Sequence, residues 1–155
     1  MGEVVGSGSM IAQTIQLALA PVFVLVAMGN IMNILATRLA RVVDRSRHLQ
    51  QLHVETEGAD HDAVVRDIRV LDRRIALITR SITLLVLTGL TIGFCVALLF
   101  VEELLDVNLQ QVAGAAFFLA IVLLMGALWL FLREIRIAAA ALRISEMYLE
   151  PERKL

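Results

Sequence analysis

The sequence predicts an all-α membrane protein: three transmembrane helices, the first two extended into the cytoplasm as an antiparallel coiled-coil hairpin. Three observations carry that reading. Charge is absent from Val4 to Thr37, from Ser81 to Val101 and from Val107 to Leu132. The stretch between the first two apolar runs, Arg38 to Arg80, carries a heptad of apolar residues on each of two arms. All 14 Lys and Arg lie within residues 38–80 or 133–154. At 155 residues, with 59% hydrophobic and only 19% charged residues, the chain is too apolar for a soluble domain of its size and reads as a single membrane domain over residues 1–155.

The Gly- and Ser-rich opening MGEVVGSGSM reads as unstructured. Ile11 to Ala36 then forms the first span, longer than the roughly 20 residues needed to cross the hydrocarbon core. Ala18-Leu19-Ala20 resembles a signal cleavage site, but the run lacks a basic leader, is too long, and has Pro21 where a new terminus would form. Pro21 lacks an amide proton, so it should kink the helix or begin it from an extended segment.

On the first arm, Leu35, Leu39, Val42, Ser46, Leu49 and His53 alternate four and three apart. On the second, Val64, Ile68, Leu71, Ile75, Ile78 and Ile82 repeat the pattern. Between them Gly58 can end one helix and Asp60 can cap the next. Pairing about that turn sets Leu49 near Ile68, Val42 near Ile75 and Leu39 near Ile78. About 20 residues per arm would project on the order of 30 Å from the membrane. The alternative is an amphipathic loop lying on the membrane surface.

Residues 81–101 form the second span, ended by Glu102, Glu103 and Asp106, and residues 107–132 the third. Trp129 and Phe131 close the third span as an interfacial aromatic belt would. Residues 133–150 are good helix formers, so that helix extends past the membrane as far as Pro151. The distribution of Lys and Arg places the hairpin and C-terminus in the cytoplasm and the N-terminus outside.

Three segments carry a resemblance: LAPVFVLVAMGNIMNILATRLARVVDR, LDRRIALITRSITLLVLTGL and FLREIRIAAAALRI. They resemble a bacterial family of small membrane proteins of unknown function, DUF2721, over about Leu19 to Ile144. The resemblance implies a three-span protein of the bacterial inner membrane and no activity, cofactor or site residue.

The residues exclude more than they assign. No ionisable group lies within a span, which disfavours a proton relay or a charged substrate site at the midplane. Phosphate-cradling glycine loops, HExxH, CxxC and a nucleophile elbow are all absent from the sequence. An enzyme is therefore not expected, nor a cofactor or bound metal. The single cysteine, Cys95, reads as a small buried hydrophobe. The hairpin tip (His53, Glu55, Glu57, Asp60, His61 and Asp62) has metal-ligand types without a diagnostic spacing.

Asn30, Asn33 and Thr37 share one face of the first helix. They can bond to Ser81, Thr83 or Thr88 of the neighbouring span, or line a hydrated path in an oligomer. Gly89 and Gly93 form a GxxxG, and Ala113, Ala116, Ala120 and Ala127 line one face of the third span, so close helix packing and a homo-oligomer are expected. Glu102, Glu103 and Asp106 would ring the outer mouth of a symmetric assembly and attract cations. Arg66, Arg69, Arg73 and Arg80, with Arg133, Arg136 and Arg143, form basic stripes suited to anionic membrane lipids. Nucleic acid is excluded, because Asp62, Asp67 and Asp72 interrupt the basic run and no aromatic residue can stack. Asp67 and Asp72 are expected to pair with Arg38, Arg45 or Arg74. Two functions follow: a homo-oligomeric cation channel, or a non-conducting scaffold whose coiled-coil hairpin docks a cytoplasmic protein partner.

Overall fold

The computed structural model describes residues 3–105 and 107–141, with side chains described for Gln16, Leu19, 21–105 and 107–140. Three helices account for almost all of it: α1 (Glu3–Glu55), α2 (Gly58–Leu105) and α3 (Gln110–Ala141). Each contains a stretch long and apolar enough to cross a membrane. Side chains that a soluble protein would bury lie on the outside of all three helices, among them Phe23, Leu90 and Phe118, the last 71% exposed. Such a surface is stable only against lipid or another apolar partner.

Two expectations about the chain ends of these helices change. The Gly- and Ser-rich opening is helical from Glu3 onward. Each glycine in a helix costs about 1 kcal/mol relative to alanine, but extending an existing helix avoids the cost of nucleation. Pro21 lies buried in the interior of α1, so no extended segment precedes it. Continuation of the third helix is described as far as Ala141; residues 142–150 lie outside the described residues.

A two-residue link, Thr56–Glu57, joins α1 to α2. It closes so tightly because Gly58 adopts φ +64°, a backbone conformation that a side chain would strain. Asp60 sits in the first turn of α2, where it faces the positive end of the helix dipole instead of capping from outside. Along the pair, Met28, Leu35, Val42 and Leu49 of α1 and Leu71, Ile78, Leu85 and Ile92 of α2 are buried, each set at intervals of seven. They belong to one cluster, against which Leu39, Val64, Ile68, Ile75 and Ile82 pack. The six residues expected to meet across the hairpin thus all lie in or against this cluster. His53, the outermost position of the first heptad, is exposed.

The α2–α3 contact is made differently. A polar and small stripe on α2, Arg74, Ser81, Thr88 and Cys95, opposes Ala113, Ala120, Ala127 and Glu134 on α3, again at intervals of seven. Two contacts three heptads apart fix the antiparallel register. Arg74 meets Glu134 at one end, and the Cys95 thiol donates to the Ala113 carbonyl at 3.3 Å at the other. Ser81 is then level with Ala127 and Thr88 with Ala120, and all four are buried. Thr88 returns its hydroxyl proton to the Leu84 carbonyl at 2.8 Å, so its buried oxygen is satisfied within α2. Small facing residues let the two backbones approach, which is the source of adhesion between helices where no water is displaced.

The GxxxG contributes less to packing than its pattern suggests. A methyl at Gly89 would lie 3.8 Å from Leu25 and Met28 of α1, an ordinary contact, and one at Gly93 would meet nothing within 4 Å. The tight small-residue contact is the alanine stripe of α3.

Helix α2 therefore stands between the other two. Among the described residues no Cα of α1 comes within 8 Å of one in α3. The groove left between them opens into a cavity of about 270 Å³ bordered by Pro21 of α1, Leu99 of α2 and Phe117 of α3.

Ala120→Leu inserts a branched side chain into the closed alanine seam and should destabilise the protein by about 1–3 kcal/mol. The exposed neighbour Leu119→Ala should leave the melting temperature in detergent nearly unchanged. Equal melting of the two variants would remove the seam as a determinant of stability.

Candidate functional site

The alanine stripe of α3 does not end in alanine. Its next member, seven residues after Ala127, is Glu134, whose side chain has no exposed surface. A carboxylate without water must find cations or proton donors, and two arginines supply them. Arg74 of α2 donates through Nε (3.1 Å) and Nη2 (2.9 Å) to Oε1. Arg38 of α1 brings its Nη2 to 3.4 Å from Oε2, an ion-pair distance without hydrogen-bond geometry. The Arg38 guanidinium also lies 5.6 Å from the centre of the Phe131 ring, over its face. Phe131 is half-buried beneath this cation, whereas Trp129 is exposed as a belt residue should be.

This site ties three helices together at the edge of the charge-free runs. It corrects the expected pairing of the hairpin arginines: Arg38 and Arg74 hold Glu134. Among the described residues Asp67 and Asp72 are exposed and make no ion pair within 4 Å. The physical reason is register. Arg74 falls on the α2 stripe that faces α3, not on the hairpin seam. Glu134 was nonetheless signalled in the sequence, because it continues the run Ala113, Ala120 and Ala127 at the same interval.

The face of α1 bearing Asn30, Asn33 and Thr37 is turned away from the other helices. All three residues are exposed. Thr37 donates its hydroxyl proton to the Asn33 carbonyl at 2.9 Å, and none of the three bonds to Ser81, Thr83 or Thr88. Those partners are otherwise engaged or on other faces: Thr83 bonds the Thr79 carbonyl at 3.0 Å, and Ser81 is enclosed between α2 and α3 without a hydrogen-bond partner. The expected polar glue within one chain is therefore absent among the described residues. Asn33 and Thr37 instead line a surface recess of about 230 Å³ with Ile34, Arg38 and Arg41.

Glu102 and Glu103 are placed by α2 and not by the connection that follows it. They belong to the last turn of α2, with Glu102 half-buried and Glu103 exposed. Carboxylates there oppose the negative end of the helix dipole. Asp106 and Arg143 lie outside the described residues. Arg66, Arg69, Arg73, Arg80, Arg133 and Arg136 are exposed. The helical rise sets Arg66 about 21 Å along α2 from Arg80, beyond the roughly 10 Å over which a charged membrane surface is felt. At the hairpin tip the rings of His53 and His61 meet edge to face with centroids 4.3 Å apart. Among the described residues no three of His, Cys, Asp and Glu gather as a metal site would require.

The family described as Protein of unknown function (DUF2721) matches residues 18–144. The chain belongs to this family. No curated protein and no solved structure matches it. The matched residues include Arg38, Arg74 and Glu134 and the exposed polar face of α1.

Removing one member of a buried ion pair strands the other, at about 3–5 kcal/mol. Arg74→Met should therefore lower the melting temperature sharply. Arg74→Met combined with Glu134→Met should recover most of the loss, since Arg38, its side chain 32% exposed, can turn to water. A double variant no more stable than Arg74→Met alone would show that the pair is not what holds this corner.

Proposed function

We propose that the protein is a homo-oligomeric ion channel of the bacterial inner membrane, with α1 lining the permeation path. The observation that carries this reading is the outward-facing row Asn30, Asn33 and Thr37 on an otherwise apolar span. An amide facing hydrocarbon costs several kcal/mol, a cost relieved if the same face of other copies encloses water. Neutral amides replace part of an ion's hydration without trapping it. Glu102 and Glu103, with Asp106 after them, supply negative charge that concentrates cations at the outer end.

The hairpin, read as a coiled coil, extends into the cytoplasm together with the C-terminus, because every Lys and Arg lies on that side. The length of the paired helices beyond the spans favours a second reading, a non-conducting scaffold that docks a cytoplasmic protein through the hairpin. A partner retained by wild type but lost with Leu71→Asp, together with absent ion flux, would select it.

Conduction is tested by cation flux into liposomes. Asn33→Leu should reduce flux severalfold while leaving the oligomeric mass seen by native mass spectrometry unchanged. Flux equal to wild type would take α1 off the permeation path. Orientation is tested in a Cys95→Ala background. A membrane-impermeant maleimide should label Asn108→Cys in intact cells and Glu57→Cys only after permeabilisation; the reverse pattern would invert the topology.

A further inference from the structure

We infer that the recess on α1 formed by Asn33, Thr37, Arg38 and Arg41 is a binding site for a phosphate group at the cytoplasmic edge of the membrane. The lining residues are two arginines and an asparagine, which carry donors, with Thr37 and Ile34, and no acidic residue is among them. Its volume of about 230 Å³ is several times the roughly 30 Å³ share of a water molecule, enough for a phosphate with part of its hydration. Arg38 and Arg41 are the first charges after the uncharged run that ends at Thr37, which places them where phosphates of either lipid or solution are met.

The charges around the recess are unbalanced. Arg41 is exposed and, among the described residues, makes no ion pair within 4 Å; Asp44, one turn further on, does not reach it. Arg38 shares Glu134 with Arg74, and of the two it has the weaker hold, a single 3.4 Å approach without a hydrogen bond against Arg74's two. Two arginines on one carboxylate leave the cluster that Arg38 joins to the recess with a net positive charge. Arg38 can lean toward a phosphate there without stranding Glu134, because Arg74 keeps both of its bonds to Oε1. Thr37 shapes the site without donating to it, since its proton is given to the Asn33 carbonyl. Planar guanidinium groups suit phosphate oxygens, so the recess selects a net anionic phosphate over phosphocholine, whose ammonium offsets its phosphate and is repelled by arginine.

Binding itself does not depend on the channel reading, but it bears on it. A phosphate held beside Thr37 offsets the positive charge that a permeant cation would meet at the inner end of α1.

The test uses the full chain in detergent. Native mass spectrometry follows retention of phosphatidylglycerol against phosphatidylcholine, and thermal stability is compared in millimolar inorganic phosphate and in chloride of equal ionic strength. Arg41→Gln is the informative variant because it lies outside the Glu134 cluster, and Arg66→Gln, far along the hairpin, is its control. The expected result is a preference for a phosphate ligand that Arg41→Gln weakens about fivefold and Arg66→Gln leaves intact. Stabilisation by inorganic phosphate assigns the site to a soluble anion arriving through water. Selective retention of phosphatidylglycerol without an effect of inorganic phosphate assigns it to a lipid, and then the α1 face is open to the bilayer, which counts against the pore while keeping the phosphate site. Equal loss in Arg41→Gln and Arg66→Gln, or no preference in either assay, overturns the proposal.

Discussion

A carboxylate with no exposed surface sets the terms for this fold. Glu134 stays buried because α2 delivers Arg74 into two hydrogen bonds with it, and α1 adds Arg38 at ion-pair distance. Removing an ion from water costs several kcal/mol even after relaxation, so the positions of the three helices constrain one another at this level. Elsewhere among the described residues, apart from the Cys95 thiol bond to the Ala113 carbonyl, the adhesion is non-directional: leucine, isoleucine and methionine between α1 and α2, alanine against serine and threonine between α2 and α3. Such surfaces tolerate sliding. The charge cluster does not, because a shift of one residue would carry Glu134 off the stripe that meets Arg74.

Helix α2 has two faces of different chemistry, which explains how it separates its neighbours. Its apolar heptad takes α1, and its small polar heptad takes α3. In lipid the second kind of contact is the more discriminating, since aliphatic side chains gain little by leaving hydrocarbon for one another. Outside the uncharged runs the aliphatic seam continues and buries Leu49 and Leu71.

Most of this architecture was legible in the sequence because charge and heptad spacing are one-dimensional signals. Three uncharged runs located the spans, and the intervals of Leu35, Val42 and Leu49 located the buried side of the hairpin. What escaped was pairing between separate segments. Arg74 looked like a hairpin arginine with Asp67 and Asp72 close by in the chain, and only the α2–α3 register shows that it faces Glu134 across 60 residues. Spacing alone sets Asn30, Asn33 and Thr37 on one face of α1, but the orientation of that face was not available from a helix considered alone. Glu102 and Glu103, expected to end the second span, lie in the last turn of α2 although acids at a helix C-terminus run against the dipole.

The unbroken length of α1 has a mechanical consequence. At 1.5 Å per residue its 53 residues make a rod of roughly 80 Å. Its only side bond to α3 among the described ion pairs is at Arg38, roughly 25 Å from the hairpin tip at Glu55. Because that rod packs on α2 from Met28 in the membrane arm to Leu49 near the tip, the two arms of α1 belong to one continuous element.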